Sequence, residues 1–148
     1  STFRQPQSAA RVCEGRRVRE LAFMKSRENL VRLKRFQVNE KRRQLLQLEM
    51  MIAEFERMAS ELEVQITAEE KKAGITDIHH FAYPTFAKAA RTRQENLRNS
   101  KNDLAQQKSV AESLLAEAEA ELSKAELLES RDQKGRDAEA DQRSAAHG

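Results

Sequence analysis

The side chains best suited to chemistry are His79 and His80, Cys13, the many carboxylates, and a cationic run of Arg32, Lys34, Arg35, Lys41, Arg42 and Arg43. Adjacent histidines do not share a helix face. Zinc sites use His pairs three or four residues apart with further ligands close by, and only Asp77 is near. The pair therefore reads as a loop contact or as exposed imidazoles. Cys13 has no histidine near it in sequence, and one cysteine makes no internal disulfide, which suits a reducing compartment. Carboxylates on open helices are not buried enough to shift their pKa for acid–base work. No G-x-x-x-x-G-K-[ST] phosphate loop occurs. The chemistry left is recognition: cations that would meet an acidic or phosphate-bearing surface. The expectation is a protein that is not an enzyme and uses no metal or cofactor.

The elements that must carry these residues are two long helices. Residues 26–72 and 85–130 read as amphipathic arms of nearly equal length, joined by a bend over about 73–84. Stepping by seven from Val31 gives Val38, Leu45, Ile52, Ala59 and Ile66, all apolar, the spacing of a coiled-coil seam. The companion positions are Lys34, Lys41, Leu48, Phe55, Leu62 and Glu69. Lys34 and Lys41 can lie with their stems along a partner helix and their amines in water. Met50, Met51 and Met58 widen the stripe as padding. On the second arm the seam is Ala90, Leu97, Leu104, Ala111, Ala118 and Ala125, with Arg93, Ser100, Gln107 and Glu121 read as its companions. Alanines allow close approach but bury little area.

Lys71 and Lys72 suit the last turn of the first arm, Gly74 its C-terminal cap, and Pro84 the opening of the second. A short turn within Thr76–Phe81 would take Thr76 or Asp77 as its cap. Phe81, Tyr83, Pro84 and Phe86 are read chiefly as residues that lock the bend. The fold class expected is all-α, two long helices forming an antiparallel coiled-coil hairpin. Residues 1–23 lack a sustained helical period and are expected to be a flexible or loosely helical extension, from an upstream start or as a targeting arm. The hairpin proper would cover residues 24–135, and residues 136–148 would form a flexible tail.

Composition supports long exposed helices: the chain has 148 residues, 34% of them charged, no Trp and two Pro. No apolar run reaches the roughly 18 residues that a membrane span requires. Charge is lopsided, with 13 Lys or Arg against 4 Asp or Glu in residues 1–43, or +9, and −6 in the rest. Nucleic acid is a poor match for that cationic end. Only Phe36 offers aromatic stacking within it, and the acidic second arm repels a phosphate backbone.

The run Ala73-Gly74-Ile75-Thr76-Asp77-Ile78-His79-His80-Phe81-Ala82-Tyr83-Pro84-Thr85-Phe86-Ala87-Lys88-Ala89-Ala90-Arg91 closely resembles the flagellar export protein FliJ family of alphaproteobacteria. Met24-Lys25-Ser26-Arg27 and Leu33–Arg43 share in the likeness, which extends from Met24 to about residue 135. His80-Phe81-Ala82-Tyr83-Pro84-Thr85 at the bend is its most specific part. The resemblance implies a component of the flagellar type III protein export apparatus at the cytoplasmic face of the basal body. It would be a stalk-like coiled coil that promotes assembly and turnover of the hexameric export ATPase. The implied partners are that ATPase, the cytoplasmic domain of the export gate, and export chaperones, with no small-molecule substrate. In that frame Arg32, Lys34, Arg35, Lys41, Arg42 and Arg43 would enter the ATPase ring. Met51, Phe55 and Met58 would face the export gate, and Gly74, Phe81, Tyr83, Pro84 and Phe86 would build the bend. The other reading of the same helices is a coiled-coil adaptor or scaffold unrelated to export, in the form of a homodimer.

Overall fold

The computed structural model describes residues 7–146, with side chains from Cys13 onward. It contains two α-helices, α1 (Gln7–Ala73) and α2 (Thr85–Ala146), packed against each other as an all-α helical hairpin. No strand occurs among the described residues. No helix among them is long and apolar enough to cross a membrane. The chain divides into two units: one holds α1 up to Glu40 with α2 from Ala116, and the other runs from Lys41 to Leu115.

The 41–115 unit contains the bend. Its pairing is antiparallel, as the cross-helix contacts show. Descending α1 by sevens from Glu63 to Glu56 to Glu49 matches ascending α2 by sevens from Gln94 to Lys101 to Lys108. The Val31 heptad continues here through half-buried Leu45, Ile52 and Ala59 to fully buried Ile66. On α2, Ala90, Leu104 and Ala111 are buried and Leu97 is half-buried.

In the other unit Val31 and Val38 are buried on α1, and Ala118 and Ala125 on α2. Lys34 is half-buried, its stem within the seam and its Nζ 2.7 Å from Glu121 Oε2. This is the arrangement expected of an amphipathic seam lysine.

The register of α2 differs from the sequence reading. Arg93, Ser100, Gln107 and Glu121 are exposed, whereas Gln94, Lys101, Lys108, Leu115, Leu122 and Glu129 are half-buried. The true companions of the Ala90 series therefore lie one residue further on. Polar side chains can occupy these seam positions because acidic residues of α1 meet them.

The helix limits also differ at their outer ends. α1 already begins at Gln7, within the 1–23 segment expected to be a flexible or loosely helical extension, and α2 continues past 130 through the expected tail to Ala146. These helical stretches lack a buried stripe among the described side chains but are rich in Arg, Glu, Ala and Lys, and they contain no proline. Intrinsic propensity over such a run outweighs Gly15 and Gly135, each of which costs about 1 kcal/mol relative to Ala. Ser1–Pro6, His147 and Gly148 lie outside the described residues.

Candidate interaction surfaces

The bend is the best-sealed part of the molecule. Gly74 has φ +69°, and its N–H donates to the Glu70 carbonyl at 2.8 Å, closing α1 with a left-handed cap. Asp77 then organises a turn: its carboxylate accepts from the His79 N–H at 2.9 Å and its carbonyl from the His80 N–H at 3.1 Å. A second turn follows, in which the His80 carbonyl accepts from the Tyr83 N–H and His80 Nδ1 accepts from the Ala82 N–H at 3.0 Å. The Pro84 carbonyl accepts from the Lys88 N–H at 3.0 Å and so begins α2. Ile66, Tyr83, Ala87 and Ala90 form the buried cluster beneath, flanked by Leu62, Ile75 and Ile78.

A polar clasp crosses this cluster. Tyr83 Oη donates to Glu70 Oε1 at 2.7 Å, and Arg91 Nη2 donates to the same oxygen at 2.8 Å. Arg91 also reaches Glu63 Oε2 at 3.8 Å. The hydrogen bond from Arg91, followed by that from Tyr83, holds the Glu70 carboxyl below its ordinary pKa. Burial, together with the hydrogen bond to Glu70, pushes the Tyr83 hydroxyl above its own. Glu70 raises the pKa of Arg91 further, so it remains a fixed cation.

The bend residues singled out from the sequence thus separate. Gly74, Tyr83 and Pro84 build the turn. Phe81 and Phe86 do not lock it: Phe81 is 95% exposed, stacked only on His80 at 4.7 Å, and Phe86 is exposed as well. The His80–Tyr83 turn fixes the backbone at Phe81 and leaves its ring in solvent. Sequence reasoning missed Glu70 and Arg91. Their signal was available, because Glu49, Glu56, Glu63 and Glu70 repeat every seven residues along α1, a ladder that calls for cations opposite.

The cationic residues fall in both units. In the first, Arg32 is exposed and makes no ion pair among the described residues, while Lys34 pairs with Glu121 and Arg35 with Glu126 at 3.4 Å. The hydrogen bond from Lys34 holds the Glu121 carboxyl below its ordinary pKa. In the second, Lys41 is half-buried, whereas Arg42 and Arg43 are exposed and engaged in interactions of their own. Lys34 and Arg35 of this run are therefore already paired within the chain.

Met51 and Met58 are 42% and 38% exposed, and Phe55 is half-buried beside them in the seam. They belong to a flank of the 41–115 unit that differs from its opposite. Four ion pairs between α1 and α2 in this unit lie on the Glu49–Glu56–Glu63–Glu70 side. The Met51 side presents Gln44, Met51, Met58 and Gln65 from α1 and Arg93, Ser100, Gln107 and Leu114 from α2. Two grooves open on it. One of about 420 Å³ is lined by Met58, Leu62, Leu97 and Arg93, and one of about 650 Å³ by Leu48, Asp103, Val110 and Leu114.

Among the described residues no group of three or more His, Cys, Asp or Glu side chains is placed to hold a metal ion. Cys13 is free and exposed. Comparison with protein-family models, with curated proteins and with solved structures finds no match for this chain.

Proposed function

We propose that this chain acts as a FliJ-like stalk of the flagellar type III export apparatus, at the cytoplasmic face of the basal body. In this reading it is a binding protein with no catalysis of its own. It promotes assembly and turnover of the export ATPase ring, contacts the export gate, and escorts export chaperones. One observation supports the reading most: the run that carries the sequence resemblance, Ile75–Phe86, forms the bend of a helical hairpin, the fold that the resemblance implies.

The cations would act by exchange. Arg32 offers an unpaired charge for first contact with the ring. Arg35 would trade Glu126 for a ring carboxylate at little cost, because exposed pairs contribute only about 0–1 kcal/mol, and Lys34 would trade Glu121 while its stem stays in the seam. Lys41, Arg42 and Arg43, in the other unit, would supply further cations for the ring. Met51, Phe55 and Met58 supply the apolar surface for the export gate.

The test is ATP hydrolysis by the flagellar export ATPase with and without this chain. Stimulation at about one copy per ring, weakened by Arg32→Glu with Arg35→Glu while helix content is unchanged, is the expected result. Absence of both stimulation and co-elution would move the reading to a coiled-coil adaptor unrelated to export, which the sparsely charged Met51 flank favours.

A further inference from the structure

We propose that the Met51–Met58 flank of the 41–115 unit pairs with the same flank of a second copy of this chain, antiparallel and about a two-fold axis. The first ground is charge. The chain is 34% charged, yet among Gln44, Met51, Met58, Gln65, Arg93, Ser100, Gln107 and Leu114 only Arg93 carries a charge. The charges that line its two grooves are Glu61, Arg93 and Asp103, whereas the opposite flank is a ladder of ion pairs. A sparsely charged flank can meet its own copy with few charges to bury, provided that those few find opposite partners.

The second ground is complementarity at the rim. Arg93 lines one groove and Asp103 the other, and neither makes an ion pair among the described residues. They lie on the same side of α2, ten residues and so about 15 Å apart. In an antiparallel pair related by a two-fold midway between them, Arg93 of each copy meets Asp103 of the other. The midpoint falls next to Leu97, which shares its groove with Met58. Met58 and its symmetry mate would then meet at the axis, an isologous contact.

The third ground is the unfinished seam. Leu48, Leu62 and Leu97, which line the two grooves of this flank, remain half-buried in a two-helix arrangement, and a second copy would cover them. The paired length from Gln44 to the end of α1 is about 44 Å, across two helices of about 10 Å each. That gives roughly 800 Å² per copy, the size of a specific interface. The inference does not rest on the export reading. It adds that self-pairing would compete with any partner seated on Met51 and Met58.

Sedimentation equilibrium of the full chain tests it, with circular dichroism on every variant to confirm helix content. The wild type is expected to form a dimer at roughly 0.1 mM or below. Met58→Glu should weaken that dimer about tenfold or more by burying an unpaired charge at the axis. Met50→Glu, the same change on the outward face of the same helix where Met50 is 65% exposed, should leave the dimer intact. Arg93→Asp should weaken it, and adding Asp103→Arg to that variant should restore it. A wild type that stays monomeric overturns the proposal, as does equal loss from Met50→Glu and Met58→Glu, or failure of the charge swap to rescue.

Discussion

The two units share one plan, an antiparallel pair of helices, but they are held by different means. The unit with the bend has fully buried Ile66, a buried Tyr83 and a three-residue clasp of Glu70, Tyr83 and Arg91. The unit of α1 up to Glu40 and α2 from Ala116 has Val31 and Val38 with two buried alanines, closed by exposed pairs such as Arg35–Glu126. Alanines give up little apolar area, and exposed pairs are screened by salt. The difference teaches where a hairpin is fixed and where it is available. The bend sets register once, and the thinner unit keeps cations that can exchange partners.

The largest way to break that contrast is to hollow the bend. Ile66→Ala should cost about 3 kcal/mol, since the side chain is fully buried and the cavity cannot be refilled by neighbours on a two-helix scaffold. Leu45→Ala, at a half-buried position of the same heptad, should cost about half as much on the same urea titration. Equal losses would mean that burial at the bend is not what sets stability.

Gly74→Ala comes next. The position has φ +69° and open space where an alanine methyl group would lie, so the penalty is the left-handed backbone alone, about 1–2 kcal/mol. Gly74→Asn should recover part of it, because Asn tolerates that conformation better. Tyr83→Phe should cost about 1 kcal/mol by removing the hydroxyl that Glu70 accepts from.

Acid and alkali should both loosen the bend. The Glu70 pKa is lowered in the folded state, so its contribution is present above the ordinary 4.5 and fades as pH falls through the lowered value. The Tyr83 pKa is raised, so its contribution is present below the ordinary 10.0 and is lost as pH rises through the raised value. Tyr83→Phe should abolish the alkaline limb of a melting-temperature profile while leaving most of the acid limb. The smallest effect belongs to Arg35→Ala, within about 0.5 kcal/mol of wild type and smaller still in high salt.

Much of this arrangement was legible in the sequence. The Val31 and Ala90 heptads mark buried or half-buried positions throughout, because apolar spacing of seven has few other uses. Gly74 and Pro84 mark the bend because their backbone constraints act locally. The α2 companions were hidden because Gln94, Lys101 and Lys108 are polar, and only the acidic ladder on α1 explains their burial. The outer helix ends were hidden because propensity without a buried stripe leaves no periodic signal. For the candidate surfaces, the cations were visible but not their existing partners, since Glu121 and Glu126 lie 87 and 91 residues away in sequence from Lys34 and Arg35.

Amide hydrogen exchange across both helices, on the chain alone and with the export ATPase, tests the contrast most directly. Exchange should be slowest in the chain alone around Ile66 and Ala87–Ala90. Addition of the ATPase should bring new protection to α1 around Arg32–Arg35 and little change at the bend. Faster exchange at Ile66 than at Val31 and Val38, or protection gained only at the bend, would contradict the account.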